Sequence, residues 1–381
     1  MLPLDQSYTN GPALWQSPVT DDLRITPAPV TDGLFPARLM DQNRTMAALY
    51  PRNLGDLREL ASTPFARETC SPLGAHRSVV LRGALLDDLQ GALDRDMLAA
   101  WLTALPCPVI GIDGREPTVY TPCDVVASSD GELSAIVANI DRCPLAASVL
   151  VQVLRTTSSL PVPQALTLES LAYATLQGGP EHKAWLVVRG PAAEQPRLDV
   201  GPPVLMDGRD DRLDLRLNRP ARLNALSLEL RDALCEAFQL VIADPAIRTV
   251  RVAGEGRCFS IGGDLAEFGS APDPATAHAV RSIRLPAFFL SQCADRVAFA
   301  LHGACIGAGV ELPAFGHRVT AARNAFFQLP EIRFGLIPGA GGCVSIPRRI
   351  GRQRTAWLAL TSRRITAAKA LEWGLVDALV D

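Results

Sequence analysis

Apolar and polar positions change period several times along the chain. SVVLRG (78–83), PVIGID (108–113) and DVVASS (124–129) are short runs rich in β-branched residues and bounded by turn formers, and each predicts a buried strand. Between the first two, LLDDLQGALDRDMLAAWLTAL carries apolar residues at helical spacing. The result is an α/β alternation. From Glu132 to about Arg189 helix formers dominate, and LSAIVANI, LAASVLVQVLR and ALTLESLAYATLQ, ending near GGPEHKAWL, predict amphipathic helices. PAAEQPRLDVGPP then interrupts all regular patterning.

Beyond that interruption RLDLRLN (212–218) alternates as a strand and SLELRDALCEAFQLVIA (227–243) has helical spacing with Ser227 as its cap. TVRVAG, RVAFALHG, HRVTAA and AFFQL add strands separated by short Gly-rich or helical pieces, which predicts an α/β fold. Four segments follow: a Pro-, Asn- and Thr-rich, loop-dominated stretch over 1–74, a small α/β and helical region over 75–190, a linker over 191–204 and a second α/β core over 205–381.

With 381 residues, 48% hydrophobic, 20% charged and a formal charge of −3, the chain fits one large core or two moderate ones and does not fit a disordered or collagen-like class. Lys183 and Lys369 are the lysines; the other basic residues are arginines, scattered and offset by acids, so no nucleic-acid footprint forms. No apolar run approaches the roughly 18 to 20 residues of a membrane span, and MLPLDQSYTNG lacks the features of a signal peptide. The expectation is a cytoplasmic protein without membrane contact. The nine cysteines are never closer than 12 positions, so no CxxC pair offers a zinc or iron–sulfur site and buried free thiols are expected.

Two Gly-rich turns bear on chemistry: SIGGDL (260–265) and GACIGAGVEL (303–312), each placed after a predicted strand. Glycine lets the main chain approach a ligand, and a strand-to-helix turn leaves N–H groups pointing outward, so two such turns can converge on one oxygen. Gly-rich turns are also common purely structural features. Neither has the GxGxxG spacing of a dinucleotide site.

Taken in order, LNRPARLNAL (217–226), CFSIGGDLAEF (258–268), HGACIGAGVEL (302–312), FQLPEIRFGLIPGAGG (327–342) and RRITAAKALEWGLVDALV (363–380) resemble the crotonase superfamily of enoyl-CoA hydratases and isomerases over about residues 205–381. The resemblance implies a crotonase-like ββα superhelix in the C-terminal half, preceded by a mixed α/β and helical region. It implies an acyl-CoA thioester whose carbonyl lies between the backbone N–H groups of Gly263 and Ala308, an oxyanion hole that stabilises an enolate. Ala221, Arg222, Leu223, Gly262, Asp264, Leu265 and Gly307 match the family's CoA- and substrate-binding positions. No separate cofactor is implied, because coenzyme A is part of the substrate, and no metal; a homo-oligomer of the trimer or dimer-of-trimers type is the family's usual assembly.

Glu311, four positions after Gly307, and Glu331, 20 further on, match both acid–base positions of the family. Hydration needs a water between two carboxyl groups, one taking its proton and one supplying a proton to the α-carbon. The pair therefore implies hydratase-type chemistry. An isomerase, a specialised member acting on an aryl or polyketide CoA thioester, and a non-catalytic CoA-binding or scaffolding protein are the alternatives. Glu311 argues against the dioxygenase branch. Taken alone, Glu311 also reads as a first-turn carboxylate satisfied by a helix dipole.

Other residues have plainer readings: His302 and His317 as structural, Cys258 and Cys305 as unreactive for want of a histidine partner, and Asp87, Asp88, Asp94 and Asp96 as a solvated helix face. Trp101, Trp185 and Tyr173 read as core or interface anchors. Arg348, Arg349, Arg352 and Arg354 suit either CoA phosphates or a solvated surface, and Phe268, Phe288, Phe289 and Phe315 suggest an apolar acyl pocket. Family members continue past the G-L-V-D segment with helices that cover the pocket. ANIDRCPLAASVLVQVLR and LTLESLAYATLQGGPEHKAWL resemble those helices, so residues 75–190 are expected to be a reduced, non-catalytic relative whose helices pack on the second core.

Overall fold

The three β-branched runs of the first half pair with one another. In the computed structural model, which describes residues 48–112, 122–191 and 199–381, they form a parallel sheet of β1 (Val79–Arg82), β2 (Val109–Ile112) and β3 (Val125–Ala127) in that order. Both faces are covered, as parallel sheets require. Val79, Leu81, Val109 and Val126 meet a small core with Leu57, Leu85, Leu98 and Leu102, while Val80, Ile110, Ile112 and Val125 join the main core with Leu133 and Ile136. The small core comes from α1 (Leu54–Ser62), α3 (Gly83–Gly91) and α4 (Arg95–Ala104), with the short α2 (Ala66–Thr69) beside them. Residues 1–47 lie outside the described part; over 48–70 the expected loop contains α1, whose first turn is capped by Asn53 accepting from the Asp56 N–H at 3.0 Å.

Four helices follow: α5 (Asp130–Arg142), capped by Ser129, α6 (Pro144–Thr157), α7 (Val162–Gln177) and α8 (Pro180–Arg189). Prolines in the first turns of α6, α7 and α8 start each helix where its N–H would be unpaired anyway. None of the described helices alone is long and apolar enough to cross a membrane.

The second half begins with β4 (Val204–Arg209), antiparallel to β5 (Arg212–Leu217). In chain order come α9 (Leu228–Ala243), β6 (Thr249–Gly254), α10 (Pro274–Ile283), α11 (Pro286–Leu290), β7 (Val297–Leu301), β8 (Ala304–Ile306), α12 (Ala308–Glu311), β9 (Arg318–Ala322) and β10 (Phe326–Gln328). The described chain ends with α13 (Gly342–Ile350), α14 (Arg352–Thr361), β11 (Ile365–Thr366), α15 (Ala367–Trp373) and β12 (Ala378–Val380). One sheet has the order β12-β9-β7-β6-β5-β4, parallel except at β4–β5; a smaller one has the order β11-β10-β8. Leu213 and Leu215 sit opposite Val250 and Val252, and Val250 and Val252 opposite Val297 and Phe299, so alternate positions form one apolar face. Leu230, Leu234, Phe238 and Val241 of α9 join the same core.

That core does not stop at the expected linker. Residues of α5, α6 and α7 (Ile136, Leu150, Leu154, Leu166) share it with residues of α13 and α14 (Val344, Ile346, Leu358). Residues 192–198 lie outside the described part, and regular structure resumes at Val204. The expected contact between helices of 131–188 and the core that holds Glu311 is present: α6 and α7 pack on α13, α5 on α14 and α7 on α10.

The arginine string departs from both of its expected roles. Arg348 donates to the carbonyls of Thr157 and Leu160, Arg349 to those of Ala314 and Gly316 and to Asp377, and Arg352 to Asp124. Arg354 lies over the Trp373 ring. The first three tie helix ends and loops together, two of them across the chain's halves. Asp124, 1% exposed, also takes Arg155 of α6 at 2.5 Å, so one buried carboxylate joins β3, α6 and α14.

Candidate active site

The two Gly-rich turns meet through polar side chains that pin their loops. Asn224, fully buried at φ 53°, accepts from the Arg219 N–H and donates to the carbonyls of Glu255, Cys258 and Phe259. Asparagine tolerates this left-handed geometry, which explains the N in N-A-L. The first turn follows an irregular stretch after β6 rather than the strand itself, and it is fixed to the second by a bridge between Ser260 and Cys305. Ser260 Oγ donates to the Asn224 carbonyl at 2.7 Å and accepts from the Gly262 N–H at 3.1 Å. The Gly262 carbonyl accepts from Leu226, and the Asp264 N–H donates back to Leu226. Gly263 lies between these two bonds, and its own N–H has no acceptor among the described residues.

The second turn runs from β8 into α12. Gly307 stands at φ 51° with its N–H on the Gln328 carbonyl, and its carbonyl accepts from Val310 and Glu311. A β-carbon here would lie 2.7 Å from Glu331 Oε1 and 3.9 Å from Glu311 Oε1, so only glycine fits. The next residue, Ala308, is first in a helical turn, and its N–H likewise has no acceptor among the described residues.

Gly263, Ala308, Glu311 and Glu331 all line one cavity of about 430 Å³. Glu311 and Glu331 are 2% and 8% exposed. Glu311 Oε2 accepts from the Ala340 N–H at 2.7 Å and the Gly342 N–H at 2.9 Å. A helix terminus does hold this carboxylate, but it is that of α13 rather than its own α12. Burial pushes the Glu311 carboxyl up to about 7, against the pull of those two N–H groups. Glu331 begins a 3₁₀ turn (Glu331–Phe334) after Gln328-Leu329-Pro330; burial first and the Glu311 charge second push it well above the usual carboxylate range. Its Oε2 is buried without a hydrogen-bond partner among the described residues. A buried, unpaired carboxyl oxygen beside a cavity is costly unless something in that cavity meets it.

Of the remaining expected positions, Asp264 lines the cavity and is paired with the Arg222 guanidinium at 3.6 Å. Gly262 and Gly307 form the turns behind it, Ala221 and Leu223 lie on the neighbouring loop, and Leu265 is 42% exposed, its carbonyl taken by Arg189. Among the phenylalanines Phe268 lines the cavity, whereas Phe288, Phe289 and Phe315 do not; Phe289 and Phe315 pack against the main core. His302 bonds the Gly256 carbonyl, and Cys258 and Cys305 are buried with thiols pushed up by desolvation, so none of them reaches the cavity.

Tyr173, expected to be an anchor, is a wall of the cavity, and Gln177 one turn later joins it. Both belong to α7 of the first half. Arg281 of α10 lies 3.9 Å over the Tyr173 ring and donates to the Gly339 carbonyl. Glu169, on the buried face of α7, accepts from the N–H groups of Gly341 and Cys343. No motif marks these residues; the one sequence signal was the likeness of 166–186 to a family helix.

A family model for enoyl-CoA hydratase/isomerase matches residues 213–381. YngF of Bacillus subtilis, whose name is that of an enoyl-CoA hydratase/isomerase, is 34% identical over 180 residues, 47% of this chain and 69% of its own length. The chain belongs to the enoyl-CoA hydratase/isomerase family. The 1,2-epoxyphenylacetyl-CoA isomerase of Escherichia coli is 36% identical over 173 residues, 44% of this chain and 66% of the relative. The match thus spans about two thirds of the length of these curated relatives. A solved enoyl-CoA hydratase from Thermoplasma volcanium is 32% identical, covering 48% of this chain and 73% of that one at a TM-score of 0.43. Family membership makes the α/β half a crotonase-like fold and makes acyl-CoA thioesters the substrate class of its relatives.

Proposed function

We propose that this protein adds water reversibly to a 2-enoyl-CoA. The observation that carries the reading is the pair of buried carboxyls, Glu311 and Glu331, each with an oxygen within 4 Å of the point where a Gly307 β-carbon would stand, in one cavity with the free N–H groups of Gly263 and Ala308. In this reading the thioester oxygen lies between those two N–H groups, which stabilise the negative charge that develops when C3 is attacked. Glu311, raised to about 7, is ionised at and above neutral pH and takes a proton from water as its oxygen bonds to C3. Glu331, held protonated by burial, gives its proton to C2 as the enolate collapses. The pair begins and ends with one shared proton, now on Glu311.

Asp264 and Arg222 support placing CoA along 221–223 and 262–265, with Gly307 behind the thioester. α7 serves as a cover of the acyl cavity, contributing Tyr173 and Gln177.

The test follows the absorbance of the conjugated thioester of crotonyl-CoA and a longer enoyl-CoA. Glu311→Gln and Glu331→Gln are each expected to reduce kcat by about 10²-fold or more. Wild-type rates in both variants would overturn the assignment. CoA-ester binding without turnover by the wild type would favour a binding protein, and conversion to a positional isomer without hydration an isomerase.

A further inference from the structure

The chain entering α13 presents four successive N–H groups, from Ala340, Gly341, Gly342 and Cys343, in the interior of the protein. Helix starts leave such groups without intrahelical acceptors, and burial denies them water. Two carboxylates from distant parts of the chain divide them. Ala340 and Gly342 donate to Glu311 Oε2 at 2.7 and 2.9 Å. Gly341 donates to Glu169 Oε1 at 2.7 Å and Cys343 to Glu169 Oε2 at 2.8 Å. The donors alternate because successive peptide units of the turn face opposite sides, one toward α12 and one toward α7. Gly341 sits at φ 104°, a conformation only glycine adopts readily, and a β-carbon there would come 2.6 Å from Phe315 and 2.8 Å from Ala287. The turn therefore has little other means of adjustment.

We infer that Glu169 is a positioning residue for the proposed reaction: by holding the Gly341 and Cys343 N–H groups from the α7 side, it aims the Ala340 and Gly342 N–H groups at Glu311. The consequence concerns one oxygen. With Oε2 held twice, Glu311 Oε1 is left on the side of Gly307, where Glu331 Oε1 also lies. Glu169 does not line the cavity and touches no reacting atom; it acts through the turn. Its neighbours Tyr173 on α7 and Arg281 on α10 do line the cavity, so the same helix face both walls the site and braces it. The first half of the chain is then part of the chemistry's scaffold rather than an attached module.

The test uses the full-length chain with Glu169→Gln, which keeps the side-chain volume and one acceptor oxygen but meets the second N–H with an NH₂ group. Glu169→Ala serves as the stronger variant where it folds, and Glu169→Gln alone decides where it does not. Amide hydrogen exchange is measured residue by residue over 338–345, and hydration of crotonyl-CoA is followed in parallel. A purely local role would speed exchange at Gly341 and Cys343 alone. A positioning role is expected to speed it about tenfold or more at Ala340 and Gly342 as well, with kcat lowered about 10- to 50-fold and KM within about threefold. Unchanged exchange at Ala340 and Gly342 overturns the inference, as does a kcat within about twofold of wild type. The kinetic arm rests on the hydratase reading; a wild-type protein that hydrates no enoyl-CoA refutes that reading while the exchange arm still decides the role of Glu169.

Discussion

The helices of residues 130–189 and the turns of 258–342 meet at one cavity and contribute to it in different ways. The second-half turns bring main-chain N–H groups and two carboxyls into the cavity, held by short-range networks around Asn224, Ser260 and Gly307. The first-half helices bring a wall, Tyr173 and Gln177, and a buried carboxylate, Glu169, that faces away from the cavity into backbone. The groups proposed to carry the chemistry sit where the chain is most constrained locally. Groups that shape and support the site come from a helix surface, where the only local demand is an apolar stripe. A site of this kind is completed by tertiary packing, and its halves fail in different ways when perturbed.

The harshest way to break the comparison is to separate the halves. Residues 199–381 alone would expose the faces of Val344, Ile346 and Leu358 that α5, α6 and α7 cover, and would leave the N–H groups of Gly341 and Cys343 without acceptors. That fragment is expected to lack cooperative thermal unfolding and fixed near-ultraviolet dichroism; a sharp transition would show that the second half is self-sufficient.

Next in size is Asp124→Asn. It removes the carboxylate shared by Arg155 and Arg352, of which the first is 9% exposed, and leaves guanidinium charge buried at the junction of β3, α6 and α14. The expected loss is about 3 kcal/mol, read as a lower urea midpoint at unchanged m-value. An effect under about 0.5 kcal/mol would mean that the junction is solvated and the halves are held by apolar contact alone.

A pH series sharpens the contrast further. Glu311 and Glu331 have folded-state pKa values above their ordinary value of 4.5, so the folded state resists ionising them. Their contribution to stability is complete below that ordinary value and is lost as pH rises through the folded values. Glu331→Gln is therefore expected to melt about 2 to 5 °C above wild type at pH 8 and to lose that advantage toward pH 4.5. Activity has the opposite sign: kcat/KM is expected to rise with pH through about 7 as Glu311 ionises. A flat profile from pH 5 to 9 would remove Glu311 from the base role.

The smallest effect belongs to the wall. Tyr173→Leu keeps an apolar surface but removes the ring beneath Arg281, worth about 1 kcal/mol. KM is expected to rise about fivefold with kcat nearly constant, and a large kcat loss would move Tyr173 from wall to chemistry.

Much of this arrangement is legible along the chain, and the legible part has a common cause. Strands β1, β2, β3, β5, β6, β7 and β9 and helix α9 follow periodicity because each has an apolar face that any fold must bury. The Gly-rich turns are readable because backbone geometry restricts which residues can stand there, Gly307 most severely, whereas Glu311 and Glu331 are readable only through their likeness to the family's acid–base positions. The arginines at 348–354 mislead because charge alone does not say whether a guanidinium meets water, phosphate or a carbonyl. Here Arg348 and Arg349 find carbonyls of loops and helix ends far away in sequence.

The sequence by itself determined the repeating α/β elements and the two Gly-rich turns, since each depends on residues close to one another in the chain; the paired glutamates were legible through likeness to a family. Only the tertiary structure decided that the wall of the cavity and the second carboxylate on the α13 turn come from α7, more than 170 positions away from that turn in the case of Glu169. A buried carboxylate leaves no local trace. Its partners are backbone N–H groups, which every residue but proline carries, so the pairing is specified by packing and not by residue type.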